Sequence, residues 1–84
     1  NASAAFNSGF IYLEYRQDYA NAELWFSEAI SRLPYYHQAF YNRGLCRESQ
    51  DNLEGALSDY NEALKLKPDF TSAAMAKGRV LEAL

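Results

Sequence analysis

The stretch Asn52-Leu53-Glu54-Gly55-Ala56-Leu57-Ser58-Asp59-Tyr60-Asn61-Glu62-Ala63-Leu64-Lys65-Leu66-Lys67-Pro68 has a counterpart 34 residues earlier, Asp18 to Pro34. Sliding the chain by that interval superposes Ala22 on Ala56, Phe26 on Tyr60, Glu28 on Glu62, Ala29 on Ala63 and Ile30 on Leu64. Both runs follow a polar turn, Gln17-Asp18 or Gln50-Asp51-Asn52, and both end at one of the only two prolines. A fixed period of this size marks a repeat architecture. The apolar residues step by three and four rather than alternating, as Phe6, Phe10 and Leu13 and then Ala22, Phe26, Ala29, Ile30 and Leu33 show, so helices are expected and strands are not. Asp18 and Asn52 suit N-caps, because a short side-chain oxygen can accept from free backbone N–H groups of the first turn. Proline cannot continue the preceding helix. Five helices are expected at roughly 3–16, 19–33, 36–50, 53–67 and 70–84.

At 84 residues, 49% apolar and 23% charged, the chain has the composition of one globular unit. A net charge of −3 argues against a nucleic-acid face, which needs clustered Lys and Arg. No stretch reaches the ~18 apolar residues of a membrane span. Cys46 and His37 are single residues of their kinds, which leaves little from which to build a Cys/His metal site or nucleophile pair. Cys46 is expected as a small packed thiol and His37 as a surface residue. The eleven Asp and Glu accompany no phosphate loop or nucleophile motif, so no catalytic residue, cofactor or metal ligand is assigned and no enzyme is expected.

These landmarks resemble the tetratricopeptide repeat, a helix-turn-helix unit. The second repeat, about 37–70, carries Phe40, Gly44, Ala56, Tyr60, Ala63 and Pro68 at the pattern's positions. The first, about 3–36, carries Gly9, Tyr12, Ala22, Phe26, Ala29 and Pro34, with one extra residue expected late in its first helix or in the turn. Residues from about 71 to 84, with Gly78 34 positions after Gly44, resemble the first helix of a third repeat or a cap. The resemblance implies a single all-α domain over 1–84, a right-handed α-solenoid of two repeats plus one C-terminal helix. Arg43 and Arg47 depart from the pattern, and their stems are expected to cover apolar surface while their heads reach carboxylates such as Glu54 or Asp59.

In this family the concave face of each repeat's first helix binds partners. Carried over, that face comprises Phe6, Asn7, Phe10, Leu13 and Glu14, then Gln38, Tyr41, Asn42, Leu45 and Glu48, then Ser72, Met75, Ala76 and Arg79. Tyr36 and Phe70 are expected at its edge. The resemblance thus implies a protein or peptide partner: an apolar peptide or helix, with Asn amides for its backbone and Arg79 for a carboxylate. Repeats that grip an acidic chaperone tail use Lys, Arg and Asn here. Only Asn42 fits that set, while Phe6, Ser72 and Ala76 replace basic residues, so such a tail is a poor candidate.

The alternative is a structural or self-assembly segment of a longer solenoid, with Phe6 and Phe10 facing an upstream helix. Ala74, Gly78 and Leu81, with Lys77 as the single charge, are expected to form an apolar strip. On that basis the parent protein is expected to continue beyond Leu84, and this segment to form a homodimer through its C-terminal helix.

Overall fold

The computed structural model describes residues 1–84. It consists of five helices, α1 (Ala2–Glu14), α2 (Tyr19–Arg32), α3 (His37–Ser49), α4 (Leu53–Leu66) and α5 (Thr71–Ala83), with no strand. Three helices start on side-chain caps. Asn1 accepts from the Ala4 N–H at 2.8 Å, Asp18 from Asn21 at 3.3 Å and Asn52 from Gly55 at 3.1 Å, each supplying one of the partners that a helix start lacks.

The other two helices begin differently. At α3 and α5 the N-cap residues are Tyr36 and Phe70, which make no side-chain cap bond. Their backbone N–H groups instead close turns onto Leu33 and Lys67, each at 3.1 Å. Pro34 and Pro68 stand second in those turns, where a fixed φ is an advantage. The ring of Tyr36 stacks on Phe6 at 4.9 Å and that of Phe70 lies 5.1 Å from Tyr41. These cap positions therefore serve packing between repeats.

Helix α1 ends at Glu14, two residues before the expected boundary, because Gln17 adopts a left-handed conformation (φ 51°) and the chain turns back. Asp51 does the same after α3 (φ 64°). The Asp18 N–H reaches the Tyr12 carbonyl, six residues back, whereas Asn52 reaches Arg47, five back. The extra residue of the first repeat lies in this turn.

Each helix packs on the next, and α1 also reaches α3. Alanines allow these approaches: Ala5, Ala22, Ala29, Ala39, Ala56, Ala63, Ala73 and Ala76 are all buried. Phe26 lies over Gly9 and Tyr60 over Gly44, in positions that an added Cβ would obstruct. Phe26 packs with Leu13, Ala22 and Cys46. Tyr60 packs with Ala56, Ala76 and Val80. No helix is long and apolar enough to cross a membrane.

Candidate functional site

Helix α3 is enclosed by its neighbours, so its remaining exposure defines where a ligand could touch it. The residues Ala39, Phe40, Gly44 and Cys46 are buried, whereas Gln38, Tyr41, Leu45 and Glu48 keep full or partial access along one stripe. That spacing of three and four places them on a single helical face. On α1 the exposed counterparts are Asn7, Phe10 and Glu14, and on α5 they are Ser72, Met75 and Arg79.

Individual positions differ from one another. Phe10 is 41% exposed and Met75 68% exposed. Phe6 is half-buried, packed edge-on against Phe26 and stacked on Tyr36. Tyr41 sits between Tyr60 and Phe70. Leu45 joins the two main core clusters. Asn42 is only 8% exposed, yet its side-chain amide is not sealed from solvent and takes no hydrogen-bond partner from the protein.

Leu13 and Ala76 depart from the expected groove set. Both are buried, Leu13 against Phe26 and Cys46, Ala76 against Tyr60 and Val80, so they support the face without forming it. Arg79 also differs from expectation. Its guanidinium is already engaged, donating from Nε to Glu48 Oε2 at 2.6 Å and from Nη2 to Glu48 Oε1 at 2.8 Å. The Tyr60 hydroxyl donates to the same Oε1 at 2.8 Å. The Arg79 hydrogen bonds hold the Glu48 carboxyl below the usual glutamate range. The Tyr60 hydroxyl is pushed up, first by burial and then by Glu48.

Behind this face lies a second polar cluster. Asp59, with 2% of its side chain exposed, receives Arg43 through Nε at 3.0 Å and Nη2 at 2.8 Å, and Arg47 through Nη1 at 3.1 Å. Arg43 also donates to Ser27, and Arg47 to Glu23. Asp59 is thus the expected partner of both arginines, but Glu23 on α2 takes the second place that Glu54 was expected to offer. The cluster ties α2, α3 and α4 together. Cys46 is fully buried beside it, and burial, then Glu23 and Asp59, push its thiol up to about 12.

One surface feature was missed in the sequence. A hollow of about 580 Å³ opens between α1 and α2, lined by Ala4, Leu24, Trp25 and the Glu28–Arg32 ion pair among others. Its signal was a break in the repeat: Leu24 and Trp25 stand where the second repeat has Ser58 and Asp59. The hollow does not include the α3 stripe.

Comparison with known proteins agrees with this geometry. The family model for the tetratricopeptide repeat matches residues 37–70. Tetratricopeptide repeat protein 36 of Xenopus tropicalis is 44% identical over 50 residues, which make up 60% of this chain and 25% of that protein. This chain therefore spans about a quarter of that relative's length. The Arabidopsis OM64 TPR domain superposes with a TM-score of 0.96 at 27% identity, covering 100% of this chain and 69% of that one. The first TPR of Spaghetti (RPAP3), solved bound to the HSP90 peptide SRMEEVD, gives 0.94 at 26% identity, over 99% of this chain and 65% of that one. Two glycine-to-aromatic contacts 34 or 35 residues apart, two proline turns and five helices in all-α solenoid order lead to the same conclusion as these likenesses: the chain belongs to the tetratricopeptide repeat family.

Proposed function

We propose that this chain is a protein-interaction module, without catalytic function, that holds an apolar peptide or amphipathic helix against the stripes of α1, α3 and α5. Phe10, Tyr41, Leu45 and Met75 supply the apolar surface, Phe6 its backing, and Asn7 and Asn42 the amides for a peptide backbone. The observation that carries this reading is the unpartnered amide of Asn42 among those apolar side chains. A nearly buried amide gains by completing its hydrogen bonds, and apolar contact adds about 25 cal/mol per Å² buried. The likeness to a repeat domain solved with a peptide bound supports peptide binding as the function.

A labelled amphipathic peptide with Leu and Phe at helical spacing tests it by fluorescence anisotropy. The Tyr41→Glu, Leu45→Glu double variant and the exposed-site variant Met75→Glu are each expected to weaken binding by about tenfold or more, since buried anchors dominate interface energy. Equal affinity for wild type and Met75→Glu, with helical content unchanged, contradicts the proposal.

A second reading rests on α5. A Cβ added at Gly78 meets nothing within 4 Å, and Ala74 and Leu81 beside it are exposed. Here we infer self-association through that strip. Light scattering from dilute to concentrated solution should show mass rising for the wild type and not for Gly78→Glu, Leu81→Lys. A wild type that stays monomeric removes this reading.

A further inference from the structure

Arg79 is the only cation among the groove positions on α1, α3 and α5. Its side chain is 55% exposed, so in isolation it would attract a ligand carboxylate. Glu48 holds it instead by two short hydrogen bonds, 2.6 and 2.8 Å, and is itself fixed from α4 by the Tyr60 hydroxyl. The carboxylate bridges α4 and α5 from its place on α3, and 20% of its side chain remains exposed. Glu14, also on the exposed face of α1, leaves the groove with a net negative charge.

We propose that Glu48 determines the specificity of this groove: by occupying Arg79 it turns carboxylate-bearing peptides away in favour of uncharged ones. The proposal rests on the peptide-binding role above. An incoming carboxylate either displaces Glu48 from the Nε and Nη2 edge of Arg79, exchanging one pair of charge-assisted hydrogen bonds for another of the same kind, or takes the remaining Nη1 donors beside it. That exchange brings little net gain. The second route leaves two carboxylates sharing one guanidinium whose charge Glu48 already balances, so little attraction remains for the newcomer. An uncharged peptide meets neither cost. Selection by repulsion of the wrong ligand accounts for a charged pair set among Tyr41, Leu45 and Met75 on this face.

Glu48→Gln is the informative change, because a glutamine can keep the Tyr60 hydroxyl's acceptor oxygen while removing the charge. Two N-terminally labelled probes distinguish the outcomes: SRMEEVD, the peptide held by the similar Spaghetti domain, and a neutral analogue SQMQQVN with an amidated C-terminus. Their dissociation constants are measured by anisotropy at low salt for wild type, Glu48→Gln and the Glu48→Gln, Arg79→Gln double variant, each checked for folding by circular dichroism. Wild type should prefer the neutral peptide. Glu48→Gln should move the ratio of the two affinities toward SRMEEVD by about tenfold, and removal of Arg79 from that variant should reverse the shift. A purely structural tie would alter both peptides alike. Binding with an unchanged ratio in Glu48→Gln, or a shift that survives loss of Arg79, overturns the role of Glu48 alone. Failure of both peptides to bind any of the three proteins, while the Leu/Phe peptide above still binds, overturns this role and leaves the groove standing; failure of that peptide as well overturns both.

Discussion

Gly9, Gly44 and Gly78 occupy one position of the repeat, and their surroundings separate them. A Cβ at Gly9 would lie 2.8 Å from the Phe26 ring, and at Gly44 2.5 Å from the Tyr60 ring, whereas at Gly78 it would meet nothing within 4 Å. Gly44→Ala is therefore expected to cost about 1–3 kcal/mol through displacement of Tyr60. Gly78→Ala should instead stabilise by up to about 1 kcal/mol, since glycine is a poor helix former. Urea midpoints of the two variants should move in opposite directions. Cys46 is a second residue-scale test. A fully buried thiol pushed up to about 12 offers almost no thiolate at neutral pH. A disulfide reagent at pH near 8 should react with it only after urea opens the fold. Prompt reaction with the native chain would contradict the packing around it.

Between elements, small residues set how closely the helices approach and Asp59 sets which of them stay together. Its carboxylate is the shared acceptor of Arg43 and Arg47, and these continue to Ser27 and Glu23 on α2. Removing it leaves Arg43 with Ser27 as its remaining hydrogen-bond partner, while Arg47 keeps Glu23. Because both guanidinium groups retain some access to water, the expected cost of Asp59→Ala is about 2–3 kcal/mol, near the lower end for breaking a buried pair. The unfolding midpoint in urea reads this directly, and a change below about 0.5 kcal/mol would place the cluster among surface pairs of little weight.

For the whole molecule, the Glu48 link gives stability a defined pH dependence. Hydrogen bonds from Arg79 lower the folded-state pKa of Glu48 below its ordinary value of 4.5. The unfolded chain therefore takes up this proton first as pH falls. The associated stabilisation is complete above about 4.5 and is lost as pH drops through the folded value. Glu48→Gln lacks that contribution at every pH. The difference in urea midpoint between wild type and Glu48→Gln should hold from neutral pH down to about 5 and shrink below it. A difference independent of pH would remove the ionic part of the link.

The order of helices and the repeat were legible in the sequence because they depend on local chemistry. Asp18 and Asn52 cap, Pro34 and Pro68 interrupt, and the spacing of Ala22, Phe26 and Ala29 is already helical before any neighbour is present. The exposed face was legible only in part. Phe10, Tyr41 and Met75 fall on stripes that periodicity can trace, but periodicity cannot tell Leu13 or Ala76, buried by helices across the fold, from residues open to a ligand. The partners of charge were decided by tertiary structure. Arg79 and Glu48 are 31 residues apart in the chain, and Arg47 and Glu23 are 24 apart, distances over which sequence carries no register for a side-chain contact. Stacking α3 between α2, α4 and α5 brings them within hydrogen-bond reach, and there Arg79 meets the carboxylate of Glu48.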